Sequence, residues 1–182
     1  MMLSLAQEAT RELFLLHLGV RTPSDIVAWA DSAIAREDKP SFALIELSTA
    51  SIDRIDHFIE LLSLMKGGDD GWPAVREALA DVHDFVKARP DTAEKIAGNL
   101  WMASSFVGSE LPRDLRFFTR FEDSFFLARE EHYGTVQEVL AEFLSVLSSF
   151  KNTPNKAPEP TPVSVTTAAD APIAPDTGAA HL

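Results

Sequence analysis

Asp53, Asp56, His57 and Glu60 all fall within SIDRIDHFIE, residues 51–60. An imidazole with three carboxylates at this density could hold a divalent cation or move protons as a general acid–base pair. On a helix turning about 100° per residue, Asp53, Asp56 and Glu60 project within about 60° of one another, and His57 lies at their margin. Ile55, Phe58, Ile59 and Leu62 take the other side, so the segment divides into an acidic and an apolar face.

The rest of the sequence does not supply what catalysis on such a stripe requires. Carboxylate-bridged di-metal bundles carry Glu-x-x-His on two helices, yet no glutamate here has a histidine three residues later, and HExxH is absent. GxSxG, the phosphate-binding GxxxxGK[ST] loop and GxGxxG are also missing, and there is no cysteine. His17, His83, His132 and His181 join no recognisable triad. His83–Asp84 and Glu131–His132 are sequence neighbours, which point in different directions on a helix and read as incidental. No catalytic residue, metal ligand or cofactor is assigned.

Charge narrows the choice of partner. Sixteen Lys and Arg stand against 28 Asp and Glu, a formal net charge of -12 and an isoelectric point near 4.7. A field of that sign repels nucleic-acid backbones and anionic lipid, and favours encounter with a basic protein. The expectation is no nucleic acid and no membrane. MMLSLAQEATRELFLLHLG has acidic and basic residues where a signal peptide's apolar stretch would lie, and no apolar run approaches the roughly 20 residues that span a bilayer. A cytoplasmic protein is expected.

The elements that must position these side chains read as helices throughout. In RTPSD, Thr22 is an N-cap, Pro23 opens the helix and Asp25 completes a capping box. Ser51 is expected to cap IDRIDHFIELLSLM, Pro73 sits early in WPAVREALADVHDFV, and Asp91 with Glu94 is expected to box the start of KIAGNLWMASSFV. Helices are expected near 4–18, 23–37, 52–65, 72–88, 92–107, 112–131 and 134–150, with a short one in PSFALIELSTA at 40–50. The stretch 92–107 is apolar nearly all round, which marks it as the central helix. Five phenylalanines in DLRFFTRFEDSFFLAREEHYG are read mainly as core. After Lys151 the composition turns to Pro, Ala and Thr, which predicts a disordered tail over 151–182.

The class that follows is all-α, a single compact domain of seven or eight helices over residues 1–150 with that tail. The function these observations favour is a bacterial-type immunity or antidote protein. Asp53, Asp56, His57 and Glu60, with Asp25, Asp81 and Asp84, would bind and occlude a basic protein such as a toxin. Two rivals belong to other classes. One is an enzyme or small-ligand binder with an apolar pocket near His57, Glu46 or Trp101. The other is an adaptor that forms a homodimer through the Phe-rich helix 112–131.

Overall fold

A computed structural model describes residues 2–67, 71–107, 118–132 and 134–152. The helices are α1 (Leu5–Leu18), α2 (Pro23–Ile34), α3 (Phe42–Thr49), α4 (Ile55–Met65), α5 (Trp72–Ala88), α6 (Ala93–Val107), α7 (Thr119–Arg129) and α8 (Val136–Asn152), with one 3-10 turn, Pro90–Thr92, before α6. There is no strand among the described residues, so the all-α class holds and PSFALIELSTA contains the short helix expected. Lys151 and Asn152, expected to begin the tail, instead close α8, while residues 153–182 of the tail and 112–117 of the Phe-rich segment lie outside the described residues.

The helix starts show which local signals act alone and which need the surrounding fold. Thr22 Oγ1 accepts from the Asp25 amide at 3.3 Å while Asp25 Oδ2 accepts from the Thr22 amide at 2.8 Å, so the capping box forms as read. Ser4 with Gln7 and Thr135 with Glu138 make two more reciprocal boxes at the heads of α1 and α8. Ser51 does not cap α4. The Arg54 amide donates to the Ser51 carbonyl at 3.1 Å, closing a turn over 51–54, and α4 starts at Ile55 with Arg54 at its cap. The reversal from α3 into α4 needs that turn, and it takes Asp53 off the helix. Asp91 likewise lies in the 3-10 turn, and α6 begins only at Ala93. Helix α2 ends three residues before the expected boundary. Its last turn tightens, with the Arg36 amide bonded to Ala33 O and the Glu37 amide to Ile34 O.

The centre of the molecule is α1 rather than 92–107. Ala9, Leu13 and Leu16 form one stripe of α1, while Phe14, Leu15 and Leu18 form another on roughly the opposite side, and all six are buried. The first stripe packs in a core with Ile26, Ala30 and Ala33 of α2, Leu44 and Leu47 of α3, and Phe58, Leu61 and Leu62 of α4. The second packs in a separate core contributed by α5, α6, α7 and α8. Here Phe143 of α8 is the hub of an aromatic group. Its ring lies 5.1 Å from Phe121, 5.9 Å from Phe125 and 6.1 Å from Phe118, the last two edge-on. Of the described side chains of α6, Ala93, Ile96, Ala97, Leu100 and Ala103 join this second core, and Met102 is exposed.

Candidate functional site

The seven acidic-face residues separate into two groups once their partners are known. Asp25 is spent on the α2 cap, where it accepts from both the amide and the hydroxyl of Thr22, and those bonds hold its carboxyl below the usual carboxylate range. Asp81 on α5 takes the guanidinium of Arg11 from α1. Asp84 takes Lys151 at the end of α8 and lies 3.0 Å from Nδ1 of His83, and hydrogen bonds from these two groups lower its pKa. The His83–Asp84 contact corrects the reading of that pair as incidental, because both side chains bend to the same edge of α5. Asp81 and Asp84 fasten helices to one another, and Asp25 closes the start of its own.

Asp53, Asp56 and Glu60 are different. Residues 51–56 are exposed without interruption, and Glu60 one turn further along α4 is exposed too. Among the described residues none of the three carboxylates has a lysine or arginine within ion-pair distance, and Arg54 is the only cation in the exposed run. His57 stands at the margin, as the spacing predicts. Its Nε2 lies 3.1 Å from Oε1 of Glu46 on α3, and its Nδ1 lies 3.8 Å from Oε2 of Glu60. The imidazole thus ties the outer face of α3 to that of α4.

This Glu46–His57 contact brings together two residues of the pocket reading, but on a surface. The pair is 34% and 22% exposed. A shallow cleft of about 540 Å³ lies instead between α6 and α7, lined by Glu94, Lys95, Gly98, Asn99, Met102 and Glu122. Another of about 420 Å³ lies near the N-terminus between Met2, Arg11, Trp29 and Glu77. Neither includes Glu46 or His57, and the side chain of Trp101 is outside the described residues. Among the described residues no three His, Asp or Glu side chains are grouped so as to hold a metal ion.

The charged group that sequence reading missed is internal. Glu12 of α1 is 1% exposed, at the seam between the two cores. Its carboxylate meets Arg11, and Arg21 Nε lies 3.3 Å from Oε2. Burial pushes the Glu12 pKa up, and the two guanidinium groups pull it back. A second set of bonds locks α2 onto α1: Glu8 accepts from both terminal nitrogens of Arg36 and from Trp29 Nε1 at 3.1 Å, and these bonds, that of Arg36 foremost, lower its pKa against the effect of burial. The signal for both was Glu8, Arg11 and Glu12 interleaved with a strongly apolar helix, a pattern that also fits an ordinary wet face.

In the Phe-rich helix, Phe118, Phe121 and Phe125 are core. Phe126 is exposed, with Arg129 over its ring at 5.5 Å. No helix among the described residues is long and apolar enough to cross a membrane. The chain matches no known protein family, no curated protein and no solved structure.

Proposed function

We propose that the protein is an acidic protein-binding module of the bacterial immunity or antidote type, acting in the cytoplasm, whose α3–α4 face binds and occludes a basic protein. The observation that carries this reading is the division of its carboxylates. Asp25, Asp81 and Asp84 already have internal partners, whereas Asp53, Asp56 and Glu60 stand in water with no lysine or arginine within ion-pair distance among the described residues. A carboxylate with no internal counter-ion has most to gain from one supplied by a partner, and its field steers that partner in. The lack of catalytic motifs agrees with a surface that works by occlusion.

The test is affinity capture from the native cell lysate at low and moderate salt, with the wild type beside the triple variant Asp53→Lys, Asp56→Lys, Glu60→Lys. A basic protein retained in stoichiometric amount by the wild type, released by salt and weakened roughly tenfold or more by charge reversal is the expected result. Arg54→Glu, which removes the one cation of the exposed run, is expected to tighten the same complex. Capture that ignores both sets of substitutions overturns this assignment of the face.

A further inference from the structure

The acidic face is also apolar. Of the ten exposed large apolar side chains among the described residues, five belong to α3, α4 and their connecting turn: Phe42, Ile45, Ile52, Ile55 and Leu64. Phe42 is 78% exposed and Leu64 71%. Phe42, Ile45 and Thr49 follow at helical spacing along the outer side of α3, opposite the buried Leu44 and Leu47. Leu64 follows His57 and Glu60 at the same spacing on α4. The Glu46–His57 contact lays these two stripes side by side, and the chain from Ile45 to Ile52 spans at most about 16 Å. Ile52 and Ile55 bracket Asp53, so apolar and acidic groups alternate over one surface.

Exposed apolar groups rimmed by polar ones mark an interaction surface, and charge decides what covers this one. A second copy is disfavoured, because a two-fold contact pairs this patch with itself, and on each copy Asp53, Asp56 and Glu60 outnumber the one cation, Arg54. The chain's own residues 153–182 carry Lys156 against Glu159, Asp170 and Asp176, the wrong sign for this face. We infer that the α3–α4 face takes a basic amphipathic helix of a partner protein. Its apolar side chains rest on Phe42, Ile45, Ile52, Ile55 and Leu64, and its lysines or arginines meet Asp53, Asp56 and Glu60. Two helices packed side by side offer a third helix a groove between their ridges, and such grooves are read through apolar anchors at helical spacing. The inference rests on the proposed function and adds the apolar half of the recognition.

Two synthetic peptides of equal length and equal positive charge separate the two ideas, one an amphipathic Leu/Lys helix and the other a Gly/Lys chain. Each is titrated into the full-length protein at about 150 mM salt, where charges more than about 8 Å apart are screened. Binding is read by calorimetry and by amide shifts in NMR spectra. The amphipathic peptide is expected to bind about tenfold tighter or better, with shifts concentrated in residues 42–64. Phe42→Ser with Ile45→Ser, both on the outer side of α3, is expected to abolish that advantage and leave the Gly/Lys peptide unaffected. Equal binding of the two peptides overturns the apolar half and leaves the electrostatic reading standing. Shifts elsewhere on the molecule, or no binding by either peptide, overturn the inference, and the charge-reversal capture then decides the reading beneath it. A concentration-dependent dimer in sedimentation that Phe42→Ser with Ile45→Ser abolishes assigns the face to a second copy and also overturns it.

Discussion

Replacing Glu12 by leucine tests the argument about the buried charge group at its centre. The side chain sits at the seam of the two cores, 2% exposed, with Arg11 and Arg21 on it. Removing one member of a buried ion pair costs about 3–5 kcal/mol, because the other charge is left in a poor solvent. Two features soften this. Arg11 keeps Asp81, and the Arg21 side chain is 38% exposed, so water can take up its charge. Glu12→Leu is therefore expected to cost about 2 kcal/mol in urea unfolding followed by tryptophan fluorescence. Adding Arg11→Met and Arg21→Met removes the orphaned cations, and the triple variant is expected to return to within about 1 kcal/mol of the wild type or to exceed it. The pH dependence adds a second check. Burial raises the folded pKa of Glu12 above its unfolded value of 4.5, so the folded state holds this proton more tightly. The Glu12 contribution is then fully present below pH 4.5 and declines as pH rises through the folded pKa. The cost of Glu12→Leu should grow as pH is lowered from 7 toward 4.5. A cost that shrinks over that range, or a triple variant no more stable than the single one, refutes the account.

Two further stability predictions follow from side chains in the helical framework. Phe143→Ala removes the fully buried hub on which Phe118, Phe121 and Phe125 pack, and is expected to cost about 3–5 kcal/mol. A loss under about 2 kcal/mol in the same unfolding assay would mean that the cluster repacks around the gap. Asp25→Ala deletes the reciprocal half of the α2 cap and is expected to cost about 1 kcal/mol at neutral pH. Since Thr22 holds the Asp25 pKa below 3.8, that contribution is present above 3.8 and lost as pH falls through the lowered value. A difference from the wild type that persists undiminished into strong acid contradicts this.

The parts of the fold that could be read directly were those decided within a few residues. The box of Thr22, Pro23 and Asp25 appears as read because its partners are three positions apart. Ser51 misled because whether a serine caps depends on where the chain must turn, and that is fixed by how α3 and α4 pack. The apolar stretch 92–107 suggested a centre, whereas α1, studded with Glu8, Arg11 and Glu12, occupies it. The sequence does not show that those charges neutralise one another, because the pairing runs to Arg21, Arg36 and Asp81 on other elements. The site follows the same rule. The positions of Asp56 and Glu60 on one exposed side of α4 were legible from spacing. The use of Asp81 and Asp84 as fasteners depended on cations 70 and 67 residues distant. The exposure of Phe42 and Ile45 was not legible in PSFALIELSTA, since a short apolar run does not reveal which side it turns outward.

The two-sided burial of α1 has a consequence for how the chain is made. A nascent chain that has reached the end of α4 can cover Ala9, Leu13 and Leu16, because the described apolar side chains that share their core all lie within the first 65 residues. Phe14, Leu15 and Leu18 must wait for helices that begin at Trp72 and end at Asn152. Between those two moments an oily strip of the first-made helix faces water, and it is then that the growing chain is most open to chaperones and to clumping with its neighbours.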